Sequence, residues 1–419
     1  MFGDTELWFV DTQEGLERAA RELSKAKVIG VDTEGDSFHH YKEKTCLIQF
    51  SDIERDYMVD PLAVDDISIL GDIMVDPKIV KIFHGVDYDV MCMNRDFGFE
   101  FRNLFDTMIA AQMAGHQKIG LADLINDYFG ITIDKKYQRH DWAKRPLLQE
   151  HIEYARGDTH YILAIREFLI RELKEVGRLG HLTEECKILE GRRYVPKIAQ
   201  EHAWLGTKRA NHLDPQELNV LKHVWRYRAS EAERADRPTF KVFADPILVK
   251  IAENQPETLD DLDRLFSGMH GMKRRYGKGI VSAVRAGQDD ESPIPKPQKP
   301  KKPRGPKPRL TGRTAERAHE ALKAWRNKLT KAHNDLSPVT VASNTVLKRI
   351  ASARPTTIDE LRDVQDVRNW QVNDFGEEIL AVLDKVAPMG GEDNGDDGDD
   401  APKASRPRKR RRKPKASED

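Results

Sequence analysis

The stretch VIGVDTEGDS, residues 28–37, runs from the apolar β-branched Val28, Ile29 and Val31 into two carboxylates, Asp32 and Glu34, with only Thr33 between them. In a strand, residues i and i+2 share a face, so Asp32 and Glu34 point one way, and Thr33 reads as a spacer facing the other. Two like charges ending a buried strand repel each other and resist desolvation. A hard divalent cation, Mg²⁺ or Mn²⁺, relieves both problems. A solvated strand end is the plain alternative, and a D-x-E pair by itself favours it. A cation site therefore needs further acids. VDYDVMCM, after the strand-like VKIFHG (80–85), offers Asp87 and Asp89. EYARGDTHYILAI (153–165) has a helical period, and it sets Tyr154 and Asp158 one turn apart on one face. Taken singly, Tyr154 reads as a core tyrosine and Asp158 as a surface acid. Periodicity does not separate Asp87 from Asp89.

These residues must be positioned by a sizeable fold. The chain has 419 residues, enough for two or three domains. Formal net charge is −1, so any charge signal lies in its distribution along the chain. Cys46, Cys92 and Cys186 form no CxxC pair and no zinc-spaced cluster, which argues against a disulfide framework and fits a reducing cytosol. The N-terminal MFGDTELWFV lacks the pattern of a signal peptide, and no apolar run reaches the roughly 18 residues of a membrane span. There is no G-x₄-G-K-[ST] loop, so no nucleotide cofactor is expected, and no Ser/His/Asp triad is evident.

Residues 1–205 read as one α/β unit. Strand-like runs at 27–32, 45–51, 55–60 and 79–84, the last after a helical pattern at 66–75, are followed by helical patterns near 86–97, 106–114, 120–129 and 149–173, and a further helical stretch spans 181–205. Close early strands predict an antiparallel meander, and the run at 79–84 predicts a crossover, giving a mixed sheet flanked by helices. From 213 the strand patterns stop. Residues 213–287 and 312–387 are helical and resemble each other: Trp225-Arg226 with Trp325-Arg326, IAENQPETLDDL (251–262) with IASARPTTIDEL (350–361), and YGKGI (276–280) with FGEEI (375–379). Both tryptophans sit in helical periods and are expected in the cores. GKG (277–279) reads as a turn. Between the copies, 288–311 is a basic, Pro-rich linker. Residues 388–419 form an acidic run and then PRKRRRKPK, both expected to be disordered.

A D-x-E strand, an H-x₄-D segment and a Y-x₃-D helix, in that order, resemble the Tyr-containing branch of the DEDD 3′→5′ exonuclease superfamily. Asp32 and Glu34 match its first motif, Asp89 its second with His84 five positions before, and Tyr154 with Asp158 its third. TCLIQF (45–50) and the stretch 133–162 resemble the ribonuclease D family, and the repeated helical unit is similar to the HRDC domain. The resemblance implies an α/β ribonuclease H-like exonuclease domain followed by two small all-α HRDC-like domains. It implies two divalent metal ions, Mg²⁺ or Mn²⁺, held by Asp32, Glu34, Asp89 and Asp158, with Tyr154 orienting the attacking water. The expected activity is trimming of RNA 3′ ends, such as those of tRNA precursors, to nucleoside 5′-monophosphates by a cytoplasmic enzyme with no membrane contact. A DNA exonuclease of repair and a catalytically silent nucleic-acid-binding protein are the alternatives.

Contacts to substrate are less sharply marked. Phe38 and Tyr41 either stack on a terminal base or anchor a loop. Lys135, Lys136, Arg139 and Arg145 either hold phosphates or solvate a loop. His84 is expected to serve the local fold. The basic linker and tail carry no interleaved aromatics, which fits salt-dependent phosphate contact; PRKRRRKPK also matches a nuclear localisation signal, and an RNA-contacting tail is preferred.

Overall fold

The Val28–Gly35 segment is an inner strand of a six-stranded mixed sheet. The computed structural model describes residues 5–195, 200–295, 308–333 and 335–386. Its strands are β1 (Glu6–Val10), β2 (Val28–Gly35), β3 (Thr45–Ser51), β4 (Arg55–Val59), β5 (Val80–Phe83) and β6 (Leu104–Asp106), in the order β1-β4-β3-β2-β5-β6. β2, β3 and β4 form the expected antiparallel meander. β5 then joins β2 in parallel.

Eight helices flank this sheet: α1 (Gln13–Leu23), α2 (Ile69–Val75), α3 (Asp87–Phe97), α4 (Thr107–Ala114), α5 (Leu121–Phe129), α6 (Gln149–His160), α7 (Ile162–Glu175) and α8 (Leu179–Glu190). α2 makes the crossover between β4 and β5. The edge strands β1 and β6, of five and three residues, are too short to show a period of their own. The single helix expected over 149–173 is two, meeting at Tyr161. The helix expected over 181–205 ends at Glu190, where Gly191 closes it, and a 3₁₀ segment follows at Gln200–Gly206.

The first helical unit comprises α9 (Pro215–Arg234), α10 (Thr239–Val242), α11 (Asp245–Asn254), α12 (Leu259–Leu265) and α13 (His270–Gln288); the second comprises α14 (Gly312–Ala332), α15 (Pro338–Val341), α16 (Asn344–Ala353), α17 (Ile358–Arg362) and α18 (Asn369–Val386). Each has its own apolar core. Their equivalence corrects the sequence pairing. Arg228 reaches the Phe243 carbonyl at 3.0 Å and Asp245 at 2.7 Å, and Arg326 reaches the Ala342 carbonyl at 2.8 Å and Asn344 at 2.9 Å. Arg326 therefore corresponds to Arg228, and Trp325 to Tyr227 rather than Trp225. Both tryptophans are only partly buried, packed against their cores. GKG is no turn but lies inside α13. Its glycines are packing sites: a Cβ on Gly279 would lie 2.2 Å from the Tyr227 ring, and one on Gly277 3.0 Å from Leu259.

Both units dock on the α/β unit. The second does so through α8. Trp370 stacks on His181 with centroids 4.8 Å apart and joins the core of the α/β unit, and Arg368 donates to Glu185 at 2.8 Å. The first meets the loop that follows β2, described below. No helix among the described residues is long and apolar enough to cross a membrane. The central part of the basic linker (296–307) and the tail from 387 onward lie outside the described residues.

Candidate active site

Asp32 and Glu34 share the β2 face covered by α6, as the pleat requires. Asp32 pairs with Gln49 and Glu34 with Leu47, and the register shifts between Glu34 and Gly35, a bulge that ends the ladder beside the acids. Polar contacts fix α6 over this face. Ser51 Oγ donates to Thr159 Oγ1 at 2.8 Å, and Arg156 and His160 both reach the buried Asp56. Gly30 permits the close approach, since a Cβ there would lie 3.0 Å from the Thr159 carbonyl. Asp158 thereby meets the strand acids: one oxygen from each of Asp32, Glu34 and Asp158 lies within 4.8 Å of the others.

Asp89 arrives from the other side of the sheet. Asp106 sets the start of α3 by accepting from the Gly85 amide at 3.1 Å and the Val86 amide at 2.9 Å. One turn on, Asp89 is 8% exposed and accepts a hydrogen bond from the Thr33 hydroxyl. Thr33 does face away from Asp32, but it is no mere spacer, because it ties the second motif to the first. Asp89 stands outside the three-carboxylate group while acting electrostatically on each of its members. Asp87 is half exposed and pairs with Arg192 at 2.8 Å, so it does not face the cluster.

The electrostatics match crowded acids. Burial, then Asp89, Asp158 and Glu34, hold Asp32 well above the usual carboxylate range. Burial, then Asp158 and Asp89, do the same to Glu34. Burial and Asp89 push Asp158 up to about 7. Burial raises Asp89 to about 6, against the Thr33 hydrogen bond that lowers it. The neighbours that act most strongly on the three clustered acids are other carboxylates, so the site calls for positive charge. Oxygen-only donors at this spacing fit a hard divalent cation. Burial and then Asp158, Glu34 and Asp32 raise the Tyr154 hydroxyl above its ordinary value of 10.0, so it stays a proton donor at neutral pH. Its ring rests edge-on against Tyr137 at 5.9 Å.

The residues expected at the substrate divide. Phe38 is exposed, with the Arg139 guanidinium 5.7 Å from its ring centroid. Tyr41 packs against the core of the first helical unit, and its amide donates to Asp236 at 3.1 Å, so it is a loop anchor. Lys135 and Lys136 are exposed, and Lys136 pairs with Glu150 at 3.5 Å. Arg145 is engaged within the fold: it binds Asp60 at 2.7 Å and the Cys46 carbonyl at 2.8 Å. His84 Nδ1 lies 3.0 Å from the Thr107 hydroxyl and serves the local fold.

Sequence reasoning passed over Gln49. Its amide is fully buried opposite Asp32, with no hydrogen-bond partner among the described residues. A polar residue inside the apolar TCLIQF run was the available signal.

Residues 7–174 match a family model described as 3′-5′ exonuclease, and residues 217–284 and 315–383 each match the HRDC domain. Ribonuclease D of Desulfotalea psychrophila is 30% identical over 293 residues, covering 69% of this chain and 78% of that protein. The crystal structure of Escherichia coli RNase D, an exoribonuclease involved in structured RNA processing, superposes with a TM-score of 0.66 at 26% identity, covering 91% of this chain and 99% of that one. The exosome complex component 10 homolog of Drosophila melanogaster is 33% identical over 269 residues, and the chain spans only 30% of its length. A 3′-5′ exonuclease unit with a clustered carboxylate site, followed by two HRDC domains, places this chain in the ribonuclease D family.

Proposed function

We propose that this chain is a metal-dependent 3′→5′ exoribonuclease of ribonuclease D type. The observation that carries the reading is the convergence of Asp32, Glu34 and Asp158 within 4.8 Å, with Asp89 beside them. Asp32, Glu34 and Asp158 would hold one divalent ion, and Asp32 with Asp89 a second. When bound, such ions activate water and neutralise charge on the scissile phosphate and leaving oxygen.

The chain's own part is positioning. β2 and α6 present three carboxylates to one point, so the attacking water and the phosphate meet in fixed geometry. Thr33 holds Asp89 against the strand that carries Asp32. Tyr154, protonated at neutral pH, donates a hydrogen bond that orients the water and is no general base. The products are nucleoside 5′-monophosphates and an RNA shortened at its 3′ end.

The substrate we favour is a structured RNA with a short 3′ trailer, such as a tRNA precursor. The part that the similar Escherichia coli RNase D takes in structured RNA processing supports this choice. Three buried free cysteines fit a cytoplasmic location. The deciding experiment supplies 5′-labelled RNA and DNA of one sequence with Mg²⁺ or Mn²⁺. A ladder shortening from the 3′ end of RNA, lost in Asp32→Ala and Asp158→Asn variants that remain folded, is expected. Faster digestion of DNA would favour the repair reading, and no digestion would favour a silent binding protein.

A further inference from the structure

Three segments meet at the loops that flank the strand and the helix carrying the carboxylates. The loop after β2 brings Phe38, four residues beyond Glu34. The loop before α6 brings Arg139. The first HRDC domain brings Phe240, on α10. Phe38 and Phe240 are 49% and 51% exposed, and their ring centroids lie 6.4 Å apart at 74°. Large apolar rings are seldom left half exposed side by side without a partner. The seam that pairs them is held by several contacts. His40 bonds Asp236 at 2.7 Å, the Tyr41 amide bonds Asp236 at 3.1 Å, and His39 Nε2 bonds the Arg139 carbonyl at 2.9 Å. The Arg139 guanidinium stands over the Phe38 ring, and the exposed Lys241 adjoins Phe240.

We propose that Phe240 and Phe38 form a two-domain stacking corner for the single-stranded RNA leading into the site, with Phe240 holding a base upstream of the scissile phosphate. The rings are close and nearly perpendicular, so a base stacks on the exposed surface of a ring rather than between them. Aromatic faces bind bases with little sequence preference, which suits an enzyme advancing along any 3′ tail. Arg139 and Lys241 supply positive charge for the adjoining phosphates. Phe38 lies three residues beyond the end of the strand that carries Asp32 and Glu34, which favours the strand being trimmed as the occupant. On this account the first HRDC domain supplies a substrate contact rather than only packing. The proposal rests on the nuclease reading.

The test compares the full chain with Phe240→Ala, Phe240→Leu and Phe240→Trp on RNA with an eight-nucleotide 3′ tail. A p-nitrophenyl ester of a nucleoside 5′-monophosphate, too short to reach Phe240, reports the carboxylate site by itself. The Ala and Leu variants are expected to raise KM for the tailed RNA roughly 5- to 100-fold, the range of one lost base stack. The Trp variant should stay within a few-fold of wild type. Unchanged KM in Phe240→Ala overturns the proposal. So does failure of Trp to outperform Leu, or an equal loss on the ester, which would mark a general disturbance of the domain seam. Wild-type protein that cleaves neither substrate would instead overturn the nuclease reading itself.

Discussion

His40 is held between two carboxylates: Nδ1 donates to Asp236 at 2.7 Å and Nε2 to Asp141 at 3.2 Å. Carboxylates only accept, so both bonds form together only when the ring is an imidazolium. The Asp236 hydrogen bond is the largest cause holding the His40 pKa above its ordinary 6.5. A base whose folded pKa is raised stabilises the docked state fully below the unfolded pKa, and loses that stabilisation as pH rises through the raised value. Docking of the first HRDC domain onto the loop after β2 should therefore loosen as pH rises past the ordinary imidazole value. Backbone amides of residues 38–44 should exchange faster at pH 8.5 than at pH 6, after correction for intrinsic rates, and Asp236→Asn should flatten the difference. Equal protection at both pH values would rule the coupling out.

Thr33→Val tests the tie between the two motifs. Valine keeps the β-branched shape in the strand and removes only the hydroxyl that Asp89 accepts from. Partners that orient ligating groups typically contribute roughly 10- to 100-fold to metal affinity. The Mn²⁺ concentration for half-maximal activity should rise roughly 10-fold, with little change in melting temperature. An unchanged metal requirement would return Thr33 to the role of a spacer.

How much of this was legible in the sequence depends on the range of each contact. Asp32 and Glu34 can be aligned from the period of a strand, and Tyr154 with Asp158 from the period of a helix. The choice of Asp89 over Asp87 needs the rotation of α3, which Asp106 sets from twenty residues away. Thr33 looked idle because its partner lies 56 residues on, across the sheet. His40 and Asp236 are separated by 196 residues, and no local period reports such a pair. The repeat was visible, but its first block was misaligned. The identical Trp-Arg dipeptides are not equivalent, because the structure preserves an arginine that closes a loop.

That arginine gives a prediction for each HRDC domain. Arg228 and Arg326 are buried and bond a backbone carbonyl at the end of the short second helix of their domain. Replacement by Met keeps much of the apolar stem and leaves the carbonyl without its donor. A buried unsatisfied acceptor costs about 1–3 kcal/mol. Each variant should lower the unfolding free energy of its own domain by that order, most clearly as an early denaturant transition seen through Trp225 or Trp325 fluorescence. Loss of stability in the exonuclease unit alone would contradict the equivalence.

Metal and pH should act on stability with a definite sign. Burial raises Asp32, Glu34, Asp89 and Asp158, and neighbouring carboxylates add to it, Asp106 in the case of Asp89; Asp158 is pushed up to about 7 and Asp89 to about 6. For an acid whose folded pKa exceeds its unfolded value, the folded state binds more protons in the interval between the two, so stability falls as pH rises across it. Without metal, this cluster should become progressively destabilising from about pH 4, near the ordinary carboxylate value, to about pH 7. A divalent cation binds the ionised form and reverses the trend, because a ligand that favours the native state stabilises it by mass action. The rise in melting temperature on adding Mn²⁺ after EDTA treatment should be larger at pH 7.5 than at pH 5, and smaller in Asp158→Asn. A rise that is the same at both pH values, or undiminished in Asp158→Asn, would place the stabilising ion somewhere other than these carboxylates.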